Sequence, residues 1–180
     1  MLLVGVALGS TARAQDDPLL AHKTGTPKVT AGAITEVPVA AGKENRVSMK
    51  FTVLRGYHVN SNKPNSEALI PTTVSLSPPT DILIAGITYP AGKDLSFPFA
   101  PDEKLNVYTG DITVTALVRA AKTAPVGRYR VHGQLKYQAC DDRACYPPTQ
   151  VPVAFDVKVL KAPATATTRH NPAQSPHIHQ

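Results

Sequence analysis

Tryptophan is absent from this chain of 180 residues, cysteine and methionine occur only twice each, and phenylalanine four times. Set beside 17 prolines, that poverty in large aromatics favours strands and turns over helices. No segment sustains a helical period, no glycine-rich phosphate loop follows a strand, and no repeat of fixed length appears, which excludes helix-based cofactor folds and solenoids. No apolar run approaches the roughly 20 residues that a helix needs to span a bilayer. The formal charge of +6 invites an anionic partner, yet Lys and Arg are scattered singly, without clustering or interleaved aromatics, so nucleic acid is set aside. A domain of this length buries most of its unfolded surface and needs no disulfide to fold.

What is present reads as one domain with ragged ends. Residues 1–14 carry an apolar run closed by Ala12-Arg13-Ala14, a small-x-small site, and are expected to be a secretory signal peptide. A flexible leader is expected over 15–25, a domain over 26–161, and a disordered tail rich in Pro, Thr and His over 162–180. Within the domain, Asn45–Leu54 places Val47, Met49, Phe51 and Val53 on one face and Arg46, Ser48, Lys50 and Thr52 on the other. Further strands are expected at Thr72–Leu76, Ile82–Tyr89, Val107–Val118, Arg128–Gln138 and Val151–Leu160, each bounded by Pro, Gly, Asn or Asp. Their number and patterning predict an all-β, immunoglobulin-like sandwich of two antiparallel sheets.

The two cysteines lie close together in Lys136–Thr149, KYQACDDRACYPPT, at the tip of a hairpin if the strand ending at Gln138 pairs with the one starting at Val151. A disulfide closing about six residues contributes about 2 kcal/mol by chain entropy, so Cys140–Cys145 would be a weak staple. The spacing is not that of an antibody-type bridge, and there is no Trp for such a bridge to pack on. A redox pair, a structural clip in an exported binding module, and copper or zinc handling all stay open. Metal is the least favoured, since the remaining histidine ligands, His170, His177 and His179, sit in the tail. Asp141 and Asp142 raise thiol pKa values, so the pair suits being attacked by a partner's thiolate better than attacking spontaneously.

On Tyr137-Gln138-Ala139-Cys140, the acidic loop, Cys145-Tyr146-Pro147-Pro148 and Gly56-Tyr57-His58-Val59-Asn60, the chain resembles the N-terminal periplasmic domain of the thiol:disulfide interchange protein DsbD, over roughly Thr26–Leu160. The resemblance implies a periplasmic thiol:disulfide oxidoreductase module that uses no metal or organic cofactor. Its partners would be a thioredoxin-like electron donor and a disulfide isomerase or other thiol protein as acceptor. By that likeness Cys145 forms the mixed disulfide and Cys140 resolves it, while His58 and Asn60 line the site and His58 is a candidate for proton transfer. A cap loop is implied over Phe99–Asp111, with Asp102 and Glu103 at its acidic start. The family's aromatic pair would follow them, but Lys104-Leu105 stands there instead, so Leu105 or Tyr108 is the expected lid. Tyr137 and Tyr146 are expected to pack the hairpin. No membrane bundle or thioredoxin-like domain is seen after Leu160, and the expectation is a stand-alone module or a fragment.

Overall fold

The computed structural model describes residues 27–162. The expected signal peptide, the leader and the tail from residue 163 onward lie outside that range. The described residues form twelve strands and no helix: β1 (Val29–Ala31), β2 (Val37–Ala40), β3 (Glu44–Val53), β4 (His58–Asn60), β5 (Thr73–Ser77), β6 (Ile82–Thr88), β7 (Lys93–Phe97), β8 (Ala100–Tyr108), β9 (Asp111–Ala120), β10 (Gly127–Tyr137), β11 (Ala139–Cys140) and β12 (Thr149–Leu160).

Two four-stranded sheets form an immunoglobulin-like sandwich, one in the order β1-β3-β9-β6 and the other β2-β12-β10-β5. Strict alternation decides which side of each strand is apolar. Val47, Met49, Phe51 and Val53 of β3 and Ile112, Val114, Ala116, Val118 and Ala120 of β9 are buried. From the other sheet, Val131, Leu135 and Tyr137 of β10 and Val153, Phe155, Val157 and Val159 of β12 join the same cluster. A large aliphatic or aromatic side chain buried in this way contributes roughly 1.5–3 kcal/mol, and a one-residue slip in register would turn the whole set toward water. The long β10–β12 ladder pairs Leu135 with Val151 and Tyr137 with Thr149, the hairpin that the sequence suggested. Pairing is antiparallel throughout the described residues except between β2 and β12.

A third small sheet, β11-β4-β8-β7, has no counterpart among the strands expected from the sequence; it carries Cys140, with Cys145 joined to it by an isolated bridge. It grows out of the sandwich strands: β10 runs into β11 across Gln138, and β8 runs into β9 across Thr109 and Gly110. The expected continuous strand Val107–Val118 is broken there because Gly110 takes a φ of 63°, a left-handed conformation open to glycine. Nor is Phe99–Asp111 a loop. Most of it is β8, which pairs antiparallel with β7 from Lys93↔Val107 to Phe97↔Ala100, leaving Pro98 and Phe99 at the turn.

Candidate redox site at the Cys140–Cys145 disulfide

Cys140 and Cys145 are disulfide-bonded, with Cα atoms 3.9 Å apart. That is closer than the usual bridge separation of roughly 4.4–6.8 Å. The local backbone accounts for it: the Asp141 N–H donates to the Ala144 carbonyl at 3.0 Å and the Tyr146 N–H to the Ala139 carbonyl at 2.8 Å. The cysteines between these two bonds form a non-hydrogen-bonded antiparallel pair, the arrangement that brings opposing backbones nearest. Their surroundings differ sharply, since Cys140 is wholly buried and Cys145 is exposed.

Asp141 organises the turn between them. Its Oδ1 accepts from the backbone N–H of Arg143 at 2.8 Å and of Ala144 at 2.9 Å, while Oδ2 accepts from the Tyr146 hydroxyl at 2.6 Å. The Tyr146 hydrogen bond, followed by the two from the backbone, holds the carboxyl at about 2, well below its usual range. The same bond to Asp141 pushes the Tyr146 phenol up to about 12. The Tyr146 ring meets Tyr57 at a centroid distance of 5.8 Å, and Lys28 Nζ lies over both rings, 5.5 Å from that of Tyr57 and 5.2 Å from that of Tyr146.

Behind the disulfide, β4 supplies a polar floor. The register sets His58 opposite Cys140 and Val59 opposite Ala139, which leaves Asn60 beside Gln138. Asn60 Nδ2 donates to the Ile70 carbonyl at 3.0 Å and lies 3.5 Å from Gln138 Oε1, and Gln138 Nε2 donates to the Tyr146 carbonyl at 3.2 Å. His58 and Asn60 are both buried, and among the described residues His58 Nε2 and Asn60 Oδ1 are the buried side-chain polar atoms without a hydrogen-bond partner. Burial lowers the pKa of His58, partly offset by the nearby Asp141 carboxylate, so the imidazole is neutral at pH 7.

The tip of the β7–β8 hairpin closes over this floor. Phe97 stacks on His58 with ring centroids 3.8 Å apart, and Phe99 stacks on Phe97 at 5.6 Å. These two aromatics stand before Asp102 and Glu103, in the triplet Phe97-Pro98-Phe99. Leu105 and Tyr108, the sequence-based lid candidates, are buried at the other end of β8. The Tyr108 hydroxyl donates to Asn62 Oδ1 at 2.6 Å and is tied there, while Leu105 pairs across the hairpin with Leu95. Asp102 and Glu103 are exposed on β8. Tyr137 is buried in the core, and Tyr146 packs the hairpin as described. Sequence reasoning missed Phe97, Phe99, Gln138 and the structural part of Asp141; the Phe-Pro-Phe triplet was the available signal for the first two. Among the described residues no group of three or more His, Cys, Asp or Glu side chains is gathered as a metal cluster would require.

Several solved structures are similar to this chain. The Neisseria meningitidis DsbD N-terminal domain in its reduced form is 22% identical, with 66% of this chain and 80% of that one covered and a TM-score of 0.39. The complex between the DsbD and PilB N-terminal domains of Neisseria meningitidis gives 20% identity, coverage of 81% and 88%, and a TM-score of 0.40. The N-terminal periplasmic domain of Proteus mirabilis ScsB gives 12%, coverage of 71% and 44%, and 0.45. No curated protein sequence matches. The family model described as thiol:disulfide interchange protein DsbD, N-terminal, matches residues 28–156, a span that takes in the cysteine loop, its polar floor and the aromatic hairpin. The chain thus belongs to the family of DsbD N-terminal domains, which are disulfide-exchange modules.

Proposed function

We propose that the chain is a periplasmic thiol:disulfide oxidoreductase module that relays electrons between a thioredoxin-like donor and a thiol-protein acceptor, with Cys145 as the exchanging sulfur and Cys140 as the resolving one. The observation that carries this reading is the asymmetry of the pair, an exposed Cys145 bonded to a wholly buried Cys140. An incoming thiolate has access to one residue of the two.

In the proposed cycle a donor thiolate attacks Cys145 Sγ, the Cys140–Cys145 bond breaks, and Cys140 leaves with the electron pair and takes up a proton. A second donor thiolate then attacks the donor's own sulfur in the mixed disulfide. The donor departs oxidised, and Cys145 is left reduced. Two electrons and two protons have moved, and the same steps run in reverse onto an acceptor disulfide. The exchange needs no metal or organic cofactor. His58, opposite Cys140 on the paired strand, is the candidate for passing that proton on to the sulfur, with Asn60 lining the same floor. The Phe97-Pro98-Phe99 tip is the proposed cap, held down by its stack on His58 and lifted when a partner docks; Asp102 and Glu103 lie exposed just beyond the turn, on β8. Periplasmic placement rests on the family.

The test is the reduction potential of the pair, from thiol trapping in graded glutathione buffers, combined with capture of partners on Cys140→Ala. A potential between roughly −270 and −180 mV with mixed disulfides on Cys145 is expected. A potential far below about −300 mV, with no capture, would leave a structural clip.

A further inference from the structure

The two aspartates of the Cys140–Cys145 loop are equal in the sequence and unequal in the structure. Asp142 reaches only Arg143 at 3.9 Å, and both side chains are largely in solvent, 74% and 88% exposed. Such a pair contributes little or nothing. Asp141 instead makes three short hydrogen bonds that span the loop, two to backbone N–H groups before Cys145 and one to the hydroxyl of the residue after it. The arm bearing Cys145 is thus gripped on both sides of its sulfur by a side chain next to Cys140.

From this geometry we infer that Asp141 is a positioning residue for the redox reaction: its carboxylate keeps the Cys145 arm folded back beside Cys140 when the disulfide is broken. The inference rests on the reading of the pair as redox-active and adds a residue to it. None of the three bonds involves sulfur, so reduction removes the covalent link and leaves the grip. With the carboxyl at about 2, the anion is present at every pH at which exchange runs. Gln138 adds a fourth tie, through Nε2 to the Tyr146 carbonyl. A dithiol held in this way loses less chain entropy on closing, so the grip favours the disulfide form. An anion beside the thiols also disfavours the thiolate, but Asp142 would share that effect, which gives the means to separate the two.

The experiment equilibrates the purified protein with glutathione, in which two glutathione thiols reduce the pair to two cysteines and become one glutathione disulfide. The populations are read by alkylation and mass measurement. Asp141→Ala is expected to lower the equilibrium constant for forming Cys140–Cys145 about tenfold, a rise in potential of about 30 mV for a two-electron couple. Asp141→Asn, which keeps Oδ1, should stay within about threefold of wild type, and Asp142→Ala, which removes the same charge from the same loop, should shift it less than about twofold. An equal shift in Asp141→Ala and Asp142→Ala would make the effect one of charge alone and overturn the inference, as would no shift in Asp141→Ala. Should Asp141→Ala fail to fold, Tyr146→Phe removes one arm of the grip, and an unchanged constant there overturns it. A wild-type potential outside the exchange range defeats the relay itself and is read from the unsubstituted protein, separately from these differences.

Discussion

The imidazole of His58 lies flat against the ring of Phe97, centroids 3.8 Å apart and planes 17° from parallel. One ring belongs to the strand that pairs with Cys140 and the other to the tip of a hairpin, so this stack ties the hairpin tip to the floor of the site. Aromatic stacks contribute about 0.5–1.5 kcal/mol beyond the area they bury. Phe97→Ala should therefore speed reduction of the Cys140–Cys145 bond by dithiothreitol several-fold, measured as the second-order rate of thiol appearance. An unchanged rate would mean that the hairpin does not shield the disulfide.

Acid should weaken the fold through His58. Its pKa is lowered in the folded state, chiefly by burial, so the unfolded chain binds more protons as pH falls below about 6.5. Stability should be at its full value above that pH and decline from there toward the depressed folded-state pKa. His58→Phe, which keeps a ring against Phe97, should flatten the decline. Asp141 acts lower on the scale: its contribution is present above the ordinary carboxylate pKa and is lost as pH falls toward about 2. Thermal unfolding of wild type and His58→Phe between pH 5 and 8 checks the first of these windows.

Much of the sandwich could be read in the alternation of β3, β10 and β12, because a period of two along ten or more residues leaves a single way to bury the apolar side. The cysteine loop was equally plain. What stayed hidden had weak or absent periodicity. β7 is exposed along most of its length, β4 is three residues buried on both faces, and β11 is two residues long. Phe97 and Phe99 stand before Asp102 and Glu103, and the pairing of β7 with β8 that carries Phe97 to His58 has no periodic signal in the sequence. Nothing in the order Asp141-Asp142 says which carboxylate turns inward.

In the reduced protein Cys145 should alkylate before Cys140. The two thiols differ in access, Cys145 being exposed and Cys140 wholly buried. A limiting amount of iodoacetamide followed by peptide mass measurement should find the label on Cys145 by at least about fivefold. Equal labelling would remove the basis for assigning different parts to the two sulfurs.

Gly133 tests the sandwich independently of its redox site. A Cβ at this position would stand 2.4 Å from the Ser75 carbonyl oxygen and 2.6 Å from Leu76 Cδ2, so β5 would have to move away from β10. Overpacking of this kind costs about 1–3 kcal/mol, and here the obstacle is partly backbone. Gly133→Ala should lower the urea midpoint accordingly while leaving the potential of the disulfide unchanged.

The break at Gly110 gives the β7–β8 hairpin the mechanics of a cantilever. Leu105, Val107 and Tyr108 clamp one end of β8 in buried surroundings, while Pro101 to Lys104 are exposed toward the other. A beam held in that way bends mostly at its tip, and displacement there need not disturb the ladder at its root. Moving the Phe97-Pro98-Phe99 tip off His58 would then take elastic flexing of a few residues on the nanosecond-to-microsecond scale of loop motion, without any element unfolding.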